Sequence, residues 1–333
     1  MSANNPLEAE IRRVGAELAA AFPSSARHPV KALDARAMEL AAGDDEVRAA
    51  LFRFVDVVPA CRGVDDLARH LTGFLDEIPD SRPPIAAALK MADTRAGRAA
   101  LGASAAAGVK HMSYRFIVGE TPETAVTVLR RLWSRGVASS VDLLGEATIT
   151  ESEADAYAER CLGALRSLAV ATAGWPERPA LEHDASGALP RANVSVKVSA
   201  LTPLLRPDAP ELGERDGARR LRPLLREAKA RGAHVHIDME SLDSREAVLE
   251  LVLALLAEEE FRHGPSTGIV LQAYMRDSPD QLDQILEWAS AQRHTPPPVI
   301  RLVKGAYWDH EIAEAGQHGW PAPVFEVKAD CDR

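Results

Sequence analysis

Apolar and polar positions change rhythm about a third of the way along the chain. Before residue 111 the apolar positions recur three and four apart, as in PLEAEIRRVGAELAAAF, VKALDARAMELAAG, DEVRAALFRFVDVV and VDDLARHLTGFLDEI. That spacing marks one face of an α-helix. PDSRPP (79–84) predicts a break between helices, and the alanine-rich AGRAALGASAAAGVKHM predicts a helix leading into a linker. After residue 111, short β-branched runs alternate with amphipathic helices. MSYRFIVG (112–119), VASSVDLLGE (137–146), NVSVKVSAL (193–201), AHVHIDME (233–240), GIVLQAYM (268–275) and VIRLVKGAYW (299–308) read as strands, each with a helix to follow. The first of those helices opens Thr121-Pro122-Glu123, a cap residue, then proline and an acid in the first turn. Six strand-then-helix units predict parallel strands joined by helical crossovers. The expected organisation is a helical arm and linker over 1–110 and an α/β domain over 111–333.

An open dinucleotide-binding sheet would place GxGxxG after its first strand, and no strand here is followed by that pattern. The strands instead alternate polar residues with apolar ones: Ser195, Lys197 and Ser199, then His234, His236 and Asp238. Such alternation suits the inside and upper rim of a (β/α)8 barrel of the TIM type, whose active sites lie at the C-terminal ends of the strands. A full barrel has eight units and about six are present, so the expected fold is an incomplete barrel with its C-terminal strands missing. The chain is accordingly expected to be the N-terminal piece of a longer protein, or a truncated gene product.

Composition narrows the partners. A formal net charge of −10 argues against a nucleic-acid footprint, which needs clustered positive charge. The three cysteines, Cys61, Cys161 and Cys331, are far apart and form no CxxC, which fits a reducing cytoplasm. MSANNPLEAEIRR lacks the apolar core of a signal peptide. The most apolar helix, AVLELVLALLAEEEF, runs into three glutamates before it could span a bilayer, so no transmembrane segment is expected. Peripheral membrane contact remains compatible with these features.

Polar groups gather near the C-terminal ends of the expected strands: Asp142, Gly145 and Glu146, then Lys197, Asp238 and Glu240, Gln272, Arg301 and Lys304. In a barrel these converge on one face. Cations beside Gly305, Ala306, Tyr307 and Trp308 suit a flat, polar-edged cofactor and an anionic substrate, because glycine admits close approach and the aromatics offer flat faces. Each residue also has a plainer reading. Arg301 could be a structural ion pair, Asp238 could simply hold Lys197, and Tyr307 and Trp308 could be strand–helix packing. His234-Val235-His236 has the look of a metal-binding HxH, although inward-facing, hydrogen-bonded histidines explain it as well.

Five motifs in order carry a resemblance beyond pattern: DLLGE (142–146), VKVSAL (196–201), HIDME (236–240), VLQAY (270–274) and RLVKGAYWD (301–309). The chain resembles the proline dehydrogenase family from about residue 30 onward. LFRFVDVVP (51–59) is similar to the arm that precedes the barrel in bifunctional proline utilisation flavoenzymes, where a glutamate-semialdehyde dehydrogenase domain follows. The resemblance implies FAD at the top of the barrel and hydride transfer from C5 of L-proline to flavin N5, giving Δ1-pyrroline-5-carboxylate, with electrons passed to a quinone. It implies catalytic roles for Asp238 and Arg301. Lys197, Glu146 and Tyr307 would face the substrate. Met239, Gln272, Arg301, Val303, Lys304, Gly305, Ala306 and Trp308 would contact the cofactor. The chain departs from the family at its end, PVFEVKADCDR, which lacks the paired arginines expected to clamp the proline carboxylate. Two other readings stay open: a metal-dependent barrel hydrolase using His234 and His236, and an inactive remnant acting as an interaction or homo-oligomerisation module through its helical arm.

Overall fold

A computed structural model describes residues 6–21, 39, 43–78, 83–114, 116–144 and 148–332. The chain forms two compact units, Met1–Ile117 and Val118–Arg333. The helix expected over 30–43 and the break over 79–84 lie largely outside the described residues.

The first unit is helical among its described residues: α1 (Pro6–Ala21), α2 (Asp45–Val57), α3 (Val64–Asp76), α4 (Pro83–Met91) and α5 (Arg95–Ser113). Asp44 starts α2 by accepting the amides of Glu46 and Val47 at 3.0 and 3.1 Å. This satisfies two of the donors every helix start leaves open. Val47, Ala50 and Phe54, at helical spacing, then bury one face. Gly102 on α5 allows a close crossing, since a Cβ there would lie 1.9 Å from the Val64 carbonyl at the start of α3.

The strand expected over 112–119 does not form among the described residues. α5 runs on to Ser113, and the amides of Phe116 and Ile117 donate to its carbonyl at 2.9 and 2.8 Å. A closing helical turn therefore takes the donors a ladder would need, and Phe116 is left 82% exposed.

The second unit holds a five-stranded, all-parallel sheet. Its strands are β1 (Val141–Asp142), β4 (Asn193–Lys197), β5 (His234–Asp238), β6 (Ser266–Gln272) and β7 (Val299–Val303), in that order across the sheet. β2 (His183–Asp184) and β3 (Gly187–Ala188) form a separate small hairpin. Each sheet strand lies beside its chain predecessor with no reversal of direction. That is the winding of a (β/α)8 barrel, whereas a doubly wound sheet reverses at a switch point. The crossover helices are well specified. Thr150 and Glu153 form a reciprocal capping box at the start of α7 (Glu151–Ala173). α10 (Pro210–Arg231) stops at Gly232 in the left-handed conformation, φ 60°. Val194, Val196, Val235 and Ile237 face these helices and form the core with Leu165, Leu221, Leu225 and Leu249. The alternate residues, Ser195, Lys197, His234, His236 and Asp238, turn to the other face.

Candidate active site

Three strand ends and one strand interior bring two cations and two carboxylates together. Lys197 ends β4, and its Nζ lies 2.9 and 2.8 Å from the two carboxylate oxygens of Asp142, which ends β1. A second carboxylate near it is Asp238 at the end of β5, whose Oδ2 is 3.6 Å away. On its remaining oxygen, Asp238 accepts the Ser195 hydroxyl at 2.7 Å and Arg301 NH1 at 3.1 Å. Arg301 comes from β7 and crosses the concave face. NH1 also donates to Ser195 Oγ at 3.2 Å, and NH2 donates to Ser140 Oγ at 3.1 Å. Ser140 in turn donates to Asn193 Oδ1 at 2.7 Å. The register explains the convergence. Val141 is opposite Val194, Ser195 is opposite His236, and Val270 is opposite Arg301, so every second residue of these neighbouring strands points to the same face.

Gln272, at the end of β6, is 2% exposed. Its amide nitrogen donates to the Glu240 carbonyl at 2.9 Å and to the Tyr274 hydroxyl at 3.3 Å, while its Oε1 has no partner within the described protein. A buried acceptor left open is costly and invites a donor. Glu240 is similar: burial raises its carboxyl above the ordinary value, and Oε2 has no hydrogen-bond partner among the described residues. Past β7 the chain turns sharply at Gly305, whose φ is 120°. A Cβ there would fall 1.2 Å from Cε1 of buried Tyr274, so only glycine fits that turn.

Sequence-predicted residues divide by position. Lys197, Asp238 and Arg301 meet in one lattice with Asp142. Gln272 stands in register with Val303, the next strand end, which is half-buried. Met239 is buried in the hydrophobic core. Lys304 pairs with Asp332. Ala306 is exposed, and Tyr307 caps the start of α13 (Trp308–His318). Trp308 donates its indole N–H to the Phe325 carbonyl at 2.9 Å. Glu146 lies outside the described residues. Ser140 and Ser195, which bind Arg301, carried no assigned role in the sequence; the signal for Ser195 was its position two before Lys197 on an alternating strand.

The histidine pair behaves as an internal hydrogen-bonded couple. His234 Nε2 and His236 Nδ1 are 3.1 Å apart, and His234 Nδ1 is 2.8 Å from Ser266 Oγ. Burial pushes the two rings down to about 3 and about 4, so both are neutral at pH 7. Among the described residues, no third histidine, cysteine or carboxylate joins them as a metal-ligand group.

Residues 125–333 match the proline dehydrogenase family. The chain belongs to that family. Residues 8–116 match the proline utilization A N-terminal domain. The bifunctional protein PutA of Klebsiella aerogenes is 32% identical over 222 residues, which cover 66% of this chain and 16% of that protein. Proline dehydrogenase 1 of Bacillus subtilis is 29% identical over 60% of this chain and 54% of its own length. Among solved structures, proline utilization A from Bdellovibrio bacteriovorus, inactivated by N-propargylglycine, is 34% identical with a TM-score of 0.77 and covers 89% of this chain and 28% of its own. The chain thus spans about a sixth to a third of the length of the bifunctional family members it matches. No described helix is long and apolar enough to cross a membrane.

Proposed function

We propose that the sheet unit binds FAD and L-proline and oxidises proline to Δ1-pyrroline-5-carboxylate. The observation that carries this reading is the lattice of Asp142, Lys197, Asp238 and Arg301 at the strand ends of a chain in the proline dehydrogenase family. A flavin fits the residues present: Gln272 Oε1 is a buried, unpartnered acceptor suited to a ring N–H, and Arg301 offers a planar fork of donors. FAD, when bound, supplies the two-electron acceptor for the hydride that leaves C5 of proline. The chain's residues hold and polarise. Lys197 offers its ammonium to the proline carboxylate, an ionic hydrogen bond stronger than a neutral one. Asp238 and Ser195 fix the Arg301 guanidinium so that its charge faces the reacting centre without reorganising during the reaction. Val303 to Ala306 border Gln272 on the cofactor side, and Tyr307 and Glu146 belong to the substrate side of the same reading. A quinone electron acceptor, a partner glutamate-semialdehyde dehydrogenase domain, a homo-oligomer and a cytoplasmic setting go with this proposal.

The test is a visible spectrum of the chain, loaded with FAD and desalted, before and after anaerobic L-proline. Retained flavin that bleaches with L-proline, and not with D-proline, supports the reading. A chain that retains no flavin, or whose flavin stays oxidised, overturns it as a property of this chain.

A further inference from the structure

The helical unit holds a group of side chains that proline oxidation leaves unused. The chain leaves a short 3-10 turn, Val58–Ala60, at Cys61 and starts α3 at Val64. Asp66 lies in the first turn of α3 and His70 one turn later. One ligand atom each from Cys61, Asp66 and His70 lies within 4.8 Å of the other two, and all three residues are half-buried. Among the described residues this is the one such group of three.

Ten consecutive residues assemble it. Asp66 and His70 are four apart, so they share one face of α3, and His70 Nε2 is 3.8 Å from Asp66 Oδ1. The Arg62 amide donates to the other oxygen, Oδ2, at 3.1 Å. One carboxylate oxygen is thus anchored by backbone while its twin faces the imidazole, which is the outer-shell support that ligating carboxylates need. Cys61 is a free thiol whose Sγ makes only a weak contact with the Val57 carbonyl, 3.5 Å.

The geometry is close to that of a bound metal. Zn–S bonds of about 2.3 Å and Zn–N or Zn–O bonds of about 2.0 Å in a tetrahedron set ligand atoms about 3.3–3.6 Å apart. Closing from the present spread needs about 1 Å of side-chain rotation, and His70 is 40% exposed and Asp66 23% exposed. A competitor is Arg69, whose NH2 lies 3.1 Å from Asp66 Oδ1, but that side chain is 73% exposed. Such an exposed, solvent-screened ion pair is weak and yields to a divalent ion. A thiolate and an imidazole beside one carboxylate select zinc(II) over magnesium or calcium, which prefer all-oxygen ligands.

We propose that Cys61, Asp66 and His70 bind one zinc(II) ion, with water as the fourth ligand. Binding converts the Cys61 thiol to a thiolate and releases its proton to solvent. The ion ties the 3-10 turn to α3 and removes Cys61 from oxidation.

The experiment is a cobalt(II) titration of the full chain, with cobalt as the spectroscopic stand-in, followed by displacement with zinc(II) against a fluorescent chelator. One equivalent of cobalt is expected to give a thiolate-to-metal charge-transfer band and tetrahedral visible absorption, both lost on adding zinc, with about one proton released. Cys61→Ser is expected to abolish the charge-transfer band, while Cys331→Ser, at the other half-buried cysteine, leaves it intact. His70→Gln keeps the thiol and is expected to weaken zinc binding about tenfold or more. Should Cys61→Ser fail to fold, judged by circular dichroism, His70→Gln decides the matter alone. No cobalt–thiolate band, a band that survives Cys61→Ser, or unchanged zinc affinity in His70→Gln overturns the proposal.

Discussion

Gly305→Ala tests the turn that closes the site, and its cost can be worked from two separable parts. The first is backbone. At φ 120° an L side chain is strained, a cost of about 1–3 kcal/mol. The second is collision. The new Cβ would fall 1.2 Å from Tyr274 Cε1 and 1.5 Å from Cδ1, and Tyr274 is 4% exposed, so the ring must leave its pocket. Partial re-exposure of a buried aromatic adds about 2 kcal/mol. The expected total is about 3–5 kcal/mol, large against the stability of an ordinary domain. The displaced ring also abandons Gln272, whose amide nitrogen it accepts at 3.3 Å. Urea unfolding followed by tryptophan fluorescence reads this unit alone, because all five tryptophans lie between Trp133 and Trp320. Tyr274→Ala removes the ring and with it the collision, but not the backbone strain. In the double variant the two costs should therefore fall short of additive by about 2 kcal/mol. Strict additivity, or a Gly305→Ala cost under about 1 kcal/mol, would refute the close approach of Tyr274 as the reason for glycine.

Lys197→Met is expected to lower kcat/KM for L-proline by about 10–100-fold, mostly through KM, as loss of one ionic hydrogen bond to a carboxylate requires; a change confined to kcat contradicts that role. Arg220→Ala should destabilise the sheet unit by about 3–5 kcal/mol in the same urea assay, because its 4% exposed guanidinium holds Asp155, Asp216 and the Leu201 carbonyl; Asp155→Asn, at a carboxylate 58% exposed, should cost under about 1 kcal/mol. His234 and His236 set a pH dependence. Their folded values are depressed from 6.5 to about 3 and about 4, so the unfolded chain binds two protons that the native chain refuses. Their stabilising effect is complete above about pH 6.5 and falls by at most about 3 kcal/mol per pH unit between about pH 6 and 4. Urea midpoints should drop from pH 7 to 5, and a His234→Asn variant should halve the slope; rising stability over that interval contradicts the buried neutral pair.

NVSVK and HVHID were legible as strands because alternation has a single physical meaning there: one face buried under helices, one face carrying polar groups. Those same motifs carried the family resemblance, so fold and strand-end chemistry emerged together. MSYRFIVG carries an equally good alternation and forms no strand among its described residues. A pattern records what a strand would bury, not whether a neighbour exists to complete its hydrogen bonds, and here the end of α5 takes the amides first. Lys304 shows a related limit of sequence reading. Beside Gly305 it reads as a cofactor contact, yet Asp332, far along the chain, pairs with it. Ser140 and Ser195 were silent because serine has no chemistry that announces itself. Only the register, which sets β1 beside β4 and places Arg301 across from both, makes them ligands of a guanidinium.

The lattice is charge-balanced without substrate: Asp142 and Asp238 against Lys197 and Arg301. In the proposed reading a proline carboxylate competes with the existing partners of Lys197, and the two aspartates are not equal. Asp238 is 18% exposed and is also held by Ser195 and Arg301. Asp142 is 38% exposed and spends both oxygens on Lys197. Breaking into the Asp238 side would leave the half-buried Arg301 without its counter-charge, which costs more than releasing Asp142, whose pair is closer to a surface ion pair. On the proposed reading, Asp142 is then the releasable partner and Asp238 the anchor. Asp142→Asn should leave kcat within a few-fold and lower KM for proline, since the competing carboxylate loses its charge. Asp238→Asn should cut kcat by about 100-fold with less effect on KM, since Arg301 loses its fixed orientation. If Asp142→Asn raises KM while Asp238→Asn leaves kcat unchanged, the division of labour between the two carboxylates is the reverse of the one their exposure and bonding imply.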